Sequence, residues 1–206
     1  MRFYLILGVL ILFSFATLGQ SSHDVKVENY QKKWSKLIPS QLKGQFAGSM
    51  GMLSAGVGWD YGKRRQWETD FMMGFVPGNK YEDGHLTMTL KQTYTPFRIQ
   101  LGHDFHFEPL TSALYVTKIY GEYFWSSLPE KYPKGYYFWA VNTRFNLALG
   151  QAITIPCNSK RFSRSISAFY EVNTNDLYLI SAVGNESIKL KDIIGLSIGV
   201  RFRFFD

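Results

Sequence analysis

From Gln45 onward, apolar and polar residues alternate with a period of two over most of the chain. Such alternation is typical of strands whose two faces meet different surroundings. Segments rich in Gly, Pro, Asn and Asp separate the alternating stretches and allow the chain to reverse. The pattern predicts an all-β antiparallel meander of about nine strands, near residues 45–62, 66–76, 84–94, 97–108, 111–123, 136–149, 161–172, 176–184 and 192–205.

The alternation fits two opposite kinds of barrel. A soluble, lipocalin-like barrel is apolar inside and polar outside, and the stretch GVGW (56–59) is similar to the Gly-x-Trp that opens lipocalins. A membrane barrel has the reverse arrangement. In bacterial membrane barrels the strand number is even, so either one of the nine strands is wrongly assigned or the long first stretch contains two. The sequence leaves eight and ten strands open.

The composition of the polar register favours lipid on the outside. Small residues recur in it, as in Gly195, Ser197 and Gly199, and a narrow lumen needs small residues opposite large ones. Charges of both signs also occur in this register, where they can pair across a closed interior, whereas an Arg facing the bilayer midplane costs about 2–4 kcal/mol. The predicted lumen ion-pair network consists of Glu68, Asp70, Lys91, Arg98, Asp104, Glu108, Lys118, Arg144, Glu171, Arg201 and Arg203.

Aromatic residues cluster where the predicted strands end, as expected for the two interfaces of a membrane barrel. The predicted interface aromatics are Trp59, Trp67, Tyr94, Trp139, Phe202 and Phe204. In the last strand, Leu196, Ile198 and Val200 would face lipid and need no covering helix. We therefore predict a transmembrane antiparallel up-and-down β-barrel of 8 or 10 strands.

The front of the chain predicts export. A short basic start and the uncharged apolar stretch 3–18 precede small residues where a signal peptidase cuts, so residues 1–19 are interpreted as a signal peptide. Residues 20–44 form an N-terminal segment, in which 30–38 has the pattern of a short amphipathic helix. Such a helix suits a membrane interface, packing on a protein surface or a frayed linker equally well. The barrel is assigned to 45–206.

The net charge indicates which partners the protein meets, and the cysteine content shows which cross-links it can form. The formal net charge of +7 suggests anionic neighbours, such as acidic lipid head groups and lipopolysaccharide, and an exported chain seldom meets nucleic acid. Cys157 is the only cysteine, so the chain has no internal disulfide. No metal site or other cofactor is predicted, since Asp104, His106 and Glu108 are better explained as lumen residues.

Four stretches carry a resemblance to a known group of proteins: LKQTYTPF, EPLTSALYV, EYFWSSLPEKYPKGYYFW and the closing strand. From Gln45 to Phe205 the chain resembles small uncharacterised outer-membrane β-barrel proteins of Bacteroidota-type Gram-negative bacteria. The resemblance implies an outer-membrane location and a barrel fold. It transfers no catalytic or binding residue.

Three functions follow from this interpretation. The first is a barrel filled by its own side chains, with a structural or loop-mediated role or a place in an envelope complex with other outer-membrane proteins; the connection 124–135 is its best loop candidate. The second is an enzyme that modifies lipid A, of deacylase or acyltransferase type, for which His103 lies in the lipid-facing register but lacks the closely spaced His-x-Ser. The third is a small pore, which the large inward arginines disfavour. No catalytic residue is predicted.

Overall fold

The computed structural model describes residues 34–78, 83–102, 105–121, 142–157, 164–184 and 189–204. The chain divides into two compact units, Met1–Pro39 and Ser40–Asp206. In the first unit the described residues end in a helical turn, in which the Leu37 amide donates to the Trp34 carbonyl at 3.0 Å. Residues 30–33 lie outside the described residues, so the amphipathic helix stays a prediction.

The second unit is built from antiparallel strands, with two short helices before the last strand among the described residues. The strands are β1 (Gln41–Ala47), β2 (Leu53–Tyr61), β3 (Trp67–Val76), β4 (His85–Tyr94), β5 (Ile99–Leu101), β6 (Phe105–Tyr120), β7 (Thr143–Pro156), β8 (Ser165–Asn175) and β9 (Gly195–Arg203). The helices are α1 (Asp176–Gly184) and α2 (Leu190–Ile193). Within the described residues, no helix has the length and apolar character needed to cross a bilayer.

The sheet closes on itself into a barrel of eight strand positions. β1 pairs with β2 on one side and with β9 on the other, and the remaining strands pair in sequence. β4 and the short β5 both pair with β6. β5 pairs with the start of β6 and β4 with the second half of β6, so β4 and β5 share one position in the wall. The predicted antiparallel barrel is confirmed, and its strand number is eight rather than ten.

The register of the strands gives the barrel a narrow bore. The cross-strand partners of Gln41, followed through β2, β3, β4, β6 and β7, lead to Asn175 on β8. Followed the other way, through β9, they lead to Ser165 on the same strand, ten residues away. This offset is the shear that makes the strands tilt. With eight strands the interior is just wide enough to be filled by side chains.

The two registers of each strand have opposite environments. In β9, Leu196 and Ile198 on the outer face are 60% and 54% exposed, whereas Ser197 and Arg201 on the inner face are 1% and 4% exposed. The same contrast holds along the other long strands, whose outer faces are mainly Leu, Ile, Val, Met and Phe. The wall is therefore apolar outside and polar inside.

The strand boundaries differ from the predicted ones in two places. The predicted first strand, 45–62, covers the end of β1 and all of β2. β1 begins at Gln41, inside the stretch assigned to the N-terminal segment. The predicted strand 97–108 covers β5 and the start of β6, and the predicted strand 111–123 covers most of the rest of β6.

The prediction of a strand over 176–184 is wrong, because these residues form α1. Asn175 caps the helix by accepting a hydrogen bond from the Tyr178 amide at 2.9 Å, and Asp176 lies in its first turn. The stretch NTND (173–176) is rich in turn-forming residues, which favours a turn between two strands as much as a helix start. A short apolar run has no clear period, so the cap was the informative signal.

A β-bulge in β6 changes which residues face inward. The pairing of β6 with β7 shifts between Glu108 and Thr111, and both of these residues are buried. Pro109 has no amide hydrogen and cannot donate to the ladder, which is why the irregularity falls here. Uninterrupted alternation from Glu108 would have brought Lys118 inward. Lys118 instead lies exposed on the outer face, with its Nζ 5.4 Å from the Tyr120 ring centroid.

Candidate functional site

Glu68 on β3 is the centre of a buried ionic cluster inside the barrel. The residue is fully buried, and its Oε1 accepts hydrogen bonds from Arg201 Nη1 at 2.5 Å and from Arg203 Nη2 at 3.1 Å. Its Oε2 lies 2.8 Å from Lys43 Nζ. One carboxylate from β3 thereby links the first strand of the barrel to the last.

Glu108 on β6 extends the cluster across the bore. Arg201 Nη2 donates to both Glu108 oxygens at 3.0 and 3.2 Å, and its Nε and Nη2 also lie within hydrogen-bonding distance of Ser167 Oγ. On the other side, Arg98 Nε donates to Glu108 Oε1 at 2.9 Å. Arg201 therefore bridges two buried carboxylates from different strands, a geometry that the planar guanidinium suits better than an ammonium group.

Two further carboxylates complete the cluster. Asp70 accepts from Lys43 Nζ at 2.6 Å and from Gln41 Nε2 at 2.9 Å. Asp60, at the end of β2, lies 3.5 Å from Arg203 Nε and 3.7 Å from Arg65 Nε. We call the whole set the ionic layer: Lys43, Asp60, Arg65, Glu68, Asp70, Arg98, Glu108, Arg201 and Arg203.

An apolar plug fills the lumen between the ionic layer and the end of the barrel that carries the β1–β2 turn. It consists of Met50, Met72, Ala113, Tyr115 and Ala148, all of them buried.

Met50 reaches the plug because the turn between β1 and β2 folds into the barrel mouth. Ala47, Gly48 and Gly51 have positive φ angles of 60°, 84° and 132°, which turn the chain inward. Thr87 Oγ1 donates to the Met50 carbonyl, and a Cβ at Gly74 would lie 2.0 Å from that same oxygen. The absence of a side chain at Gly74 thus makes room for the turn.

Lys91 and Glu171 form a separate ion pair beside the plug. Lys91 Nζ donates to the two carboxylate oxygens of Glu171 at 2.6 and 2.5 Å, and the two side chains are 1% and 7% exposed. The ammonium group also lies 5.6 Å from the centroid of the Tyr115 ring and 5.9 Å from that of Phe169, within the range of cation–π contacts. The ion pair is thus almost completely shielded from solvent by the protein.

We expect the Lys91–Glu171 pair to show strong coupling between its partners. Lys91→Met alone leaves a buried carboxylate without its cation and should lower the free energy of unfolding by about 3–5 kcal/mol. Adding Glu171→Met removes the orphaned charge and should restore most of this loss, because replacing both partners of a buried pair is often near neutral. Urea unfolding of the two single variants and the double variant measures the coupling. Additive losses would contradict the buried pair.

Most of the predicted lumen charges lie in ion pairs, all of them inside the barrel except Arg98, which lies at its rim. These residues are Glu68, Asp70, Lys91, Arg98, Glu108, Glu171, Arg201 and Arg203. Arg144 is only half-buried and lies at the start of β7, at the end of the barrel away from the ionic layer. Its Nη1 lies 3.5 Å from the Thr143 carbonyl, and no described carboxylate is within ion-pair distance. Lys118 lies outside, as described above, and Asp104 is outside the described residues.

Three charged members of the ionic layer were not anticipated from the sequence. Lys43 precedes the predicted start of the barrel, although its alternation with Gln41 and Gln45 in QLKGQ could have shown that the strand begins earlier. Asp60 and Arg65 flank the tight turn between β2 and β3, and turns are rich in charged residues for unrelated reasons. Nothing in their spacing distinguishes them from solvated turn residues.

The predicted interface aromatics that are described lie on the outer face near one end of the barrel, where β1 begins and β9 ends. Trp67 and Tyr94 are cross-strand partners whose ring centroids are 4.5 Å apart. Trp59 lies on the outer face of β2, and Phe202 and Phe204 lie at the end of β9. Trp139 is outside the described residues.

A small polar cluster interrupts the apolar outer wall next to these aromatics. Thr69 and Gln92 are cross-strand partners, one step along β3 and β4 from the Trp67–Tyr94 pair. Thr69 Oγ1 lies 2.7 Å from Gln92 Oε1, and the Tyr61 hydroxyl lies 3.0 Å from the same oxygen. The three side chains thereby satisfy part of one another's hydrogen-bonding capacity.

Among the described residues, no group of three His, Cys, Asp or Glu side chains is arranged to hold a metal ion. His103, on which the enzyme hypothesis depended, lies outside them. No protein-family model, curated protein or solved structure matches this chain. Function must therefore be inferred from the barrel itself.

Proposed function

We propose that the chain is a small integral outer-membrane β-barrel with a side-chain-filled, non-conducting lumen. Its role is structural or carried by its loops, alone or as a subunit of an envelope complex. The observation that supports this most directly is the inverted wall, with large apolar side chains outside and paired charges inside.

The inversion is difficult to reconcile with water on the outside. In β3, Phe71, Met73 and Phe75 are 41–49% exposed on the outer face, while the inner face of the same strand carries the buried Glu68 and Asp70. Soluble proteins rarely expose contiguous apolar patches larger than a few hundred Å², and here such residues surround the barrel. Lipid removes this cost, since it replaces water against the outer wall.

The filled lumen supports a role other than diffusion. The ionic layer and the apolar plug follow each other along the bore, and their side chains are almost completely buried except for Arg65 and Arg98 at the rim. An eight-stranded barrel has no spare width for a channel beside them. Activity would then reside on the surface and in the loops.

The end of the barrel where β8 ends and α1 begins has an exposed apolar surface. α1 exposes Leu177, Ile180 and Val183 by 48%, 62% and 92%. An exposed apolar helix next to a barrel mouth suits contact with another envelope component or with lipid. The predicted loop 124–135 is outside the described residues, so α1 is the best-defined part of this end.

The test is reconstitution of the purified chain. Diluted from urea into phosphatidylcholine vesicles, the protein should become protease-resistant and should migrate on gels at a different position before and after boiling. In planar bilayers the same preparation should show no stepwise conductance. A folded, monomeric protein in buffer without detergent would overturn the membrane location, and regular conductance steps would overturn the filled lumen.

A further inference from the structure

A basic cavity opens at the end of the barrel where β1 begins and β9 ends. Its volume is about 260 Å³, and it is lined by Arg65, Arg98, His106, Glu108, Arg164 and Arg203 together with parts of β7 and β8. The topology explains the convergence. Arg65 lies in the β2–β3 turn, Arg98 precedes β5, Arg164 precedes β8 and Arg203 ends β9, and all four positions belong to the same rim.

Positive charge dominates this cavity. Among the described residues, four arginines and one carboxylate, that of Glu108, line it. Glu108 already serves both Arg98 and Arg201, and the nearby Asp60 is shared by Arg65 and Arg203. Arg201 and Arg203 also share Glu68. The described lining of the cavity carries more positive than negative charge, which favours an anionic ligand.

The guanidinium groups retain unused donors. Arg203 is held in place, since its Nη2 donates to Glu68 Oε1 at 3.1 Å and its Nε lies 3.5 Å from Asp60 Oδ2. Arg98 donates through Nε to Glu108 and through Nη1 and Nη2 to the carbonyls of Arg64 and Arg65, at 2.7 and 2.8 Å. A guanidinium has five N–H donors, so Arg98 keeps two for a ligand while these three contacts hold it in place.

We propose that this cavity binds a phosphate group. Arginine forks match the oxygens of phosphate in charge and geometry, and a volume of about 260 Å³ leaves room for the group with a few water molecules. The phosphate comes either from a phospholipid head group or from free phosphate, and the chemistry at the arginines is the same. This site goes beyond the proposed function and does not depend on it, since the rim keeps its geometry in any medium in which the barrel folds.

The first experiment is calorimetric titration of the detergent-solubilised protein with sodium phosphate, with sodium chloride of equal ionic strength as the reference. Saturable binding is expected. Arg98→Gln should weaken it about tenfold or more, as loss of a hydrogen bond to a charged group implies. Arg144→Gln, near the opposite end of the lumen, is the matched control and should leave the affinity unchanged.

A second variant is needed because Arg98 also donates a hydrogen bond to Glu108, so Arg98→Gln can prevent folding. Arg164 is exposed at the rim, so Arg164→Gln should fold and still weaken phosphate binding. The proposal is overturned if phosphate gives no saturable heat beyond chloride, or if Arg98→Gln and Arg164→Gln bind phosphate as well as Arg144→Gln does.

The source of the phosphate is distinguished by a second titration, with the soluble lipid dihexanoyl-phosphatidylglycerol. Tighter binding of this lipid than of inorganic phosphate supports a head-group site, and the reverse order supports free phosphate. Loss of the lipid signal in Arg164→Gln is expected in the first case. Binding of neither probe overturns the site while leaving the membrane barrel intact, because vesicle insertion is measured independently.

Discussion

Glu68→Gln is expected to lower the free energy of unfolding by about 3–5 kcal/mol, which is the usual cost of removing one partner from a buried ion-pair cluster. Glutamine keeps the shape of the side chain but removes the charge that Lys43, Arg201 and Arg203 share. Three buried cations then depend on the remaining carboxylates. Urea unfolding in vesicles, followed by tryptophan fluorescence, measures the loss.

The matched control for this prediction is Asp83→Asn, which removes one negative charge from an exposed position before β4. It should change the stability by less than about 0.5 kcal/mol, as is usual for surface substitutions. A second variant checks the mechanism: in Glu68→Gln the addition of Arg201→Met should recover part of the loss. Equal stabilities of Glu68→Gln and Asp83→Asn would show that Glu68 is not the centre of the ionic layer.

Gly56→Ala is expected to destabilise the barrel by about 3 kcal/mol, near the upper end of the usual range for overpacking. A Cβ at this inward position of β2 would lie 2.2 Å from the Phe71 carbonyl oxygen and 2.6 Å from Met72 Cα. Both obstacles are backbone atoms, so no side chain can move aside to relieve the contact. The β2–β3 ladder itself must shift.

Gly44→Ala provides the comparison, since Gly44 also lies within a strand but on the outer face. Its added Cβ would meet only a Val200 methyl group at 3.8 Å, an ordinary contact. Alanine also restricts the unfolded chain, so Gly44→Ala should be neutral or stabilising by up to about 1 kcal/mol. Unfolding midpoints of the two variants in the same lipid provide the measurement. If the two alanines have the same effect, close packing of β2 on β3 is not what requires glycine at residue 56.

The sequence was informative wherever one strand face had a single, uniform environment. In β9, alternation alone predicted that Arg201 and Arg203 point inward, and they do so within the ionic layer. The period of two is a local property of the strand, so no tertiary information was needed. The ion-pair partners of these residues could not be predicted in the same way. Nothing in the spacing of Glu68, Glu108 and Arg201 shows that these three side chains meet, because their pairing depends on the shear of the barrel.

The misassignments arose where local rules compete. The bulge at Pro109 reversed the facing of the second half of β6 and moved Lys118 to the outside. In 176–184 an apolar run was compatible with strand or helix, and the Asn175 cap decided between them. The cavity at the rim combines residues from four separate connections and strand ends, so it could be recognised only once the barrel was closed.

The placement of Arg201 and Arg203 in the last strand has a consequence for biogenesis. Glu68 is synthesised more than a hundred residues before the two guanidinium groups that neutralise it. A chain without β9 would leave Glu68 with Lys43 but without its two guanidinium partners, and the sheet would have two open edges, so a protease could distinguish it from the closed barrel by both defects. The charges of β9 thus act as a check that the barrel has closed.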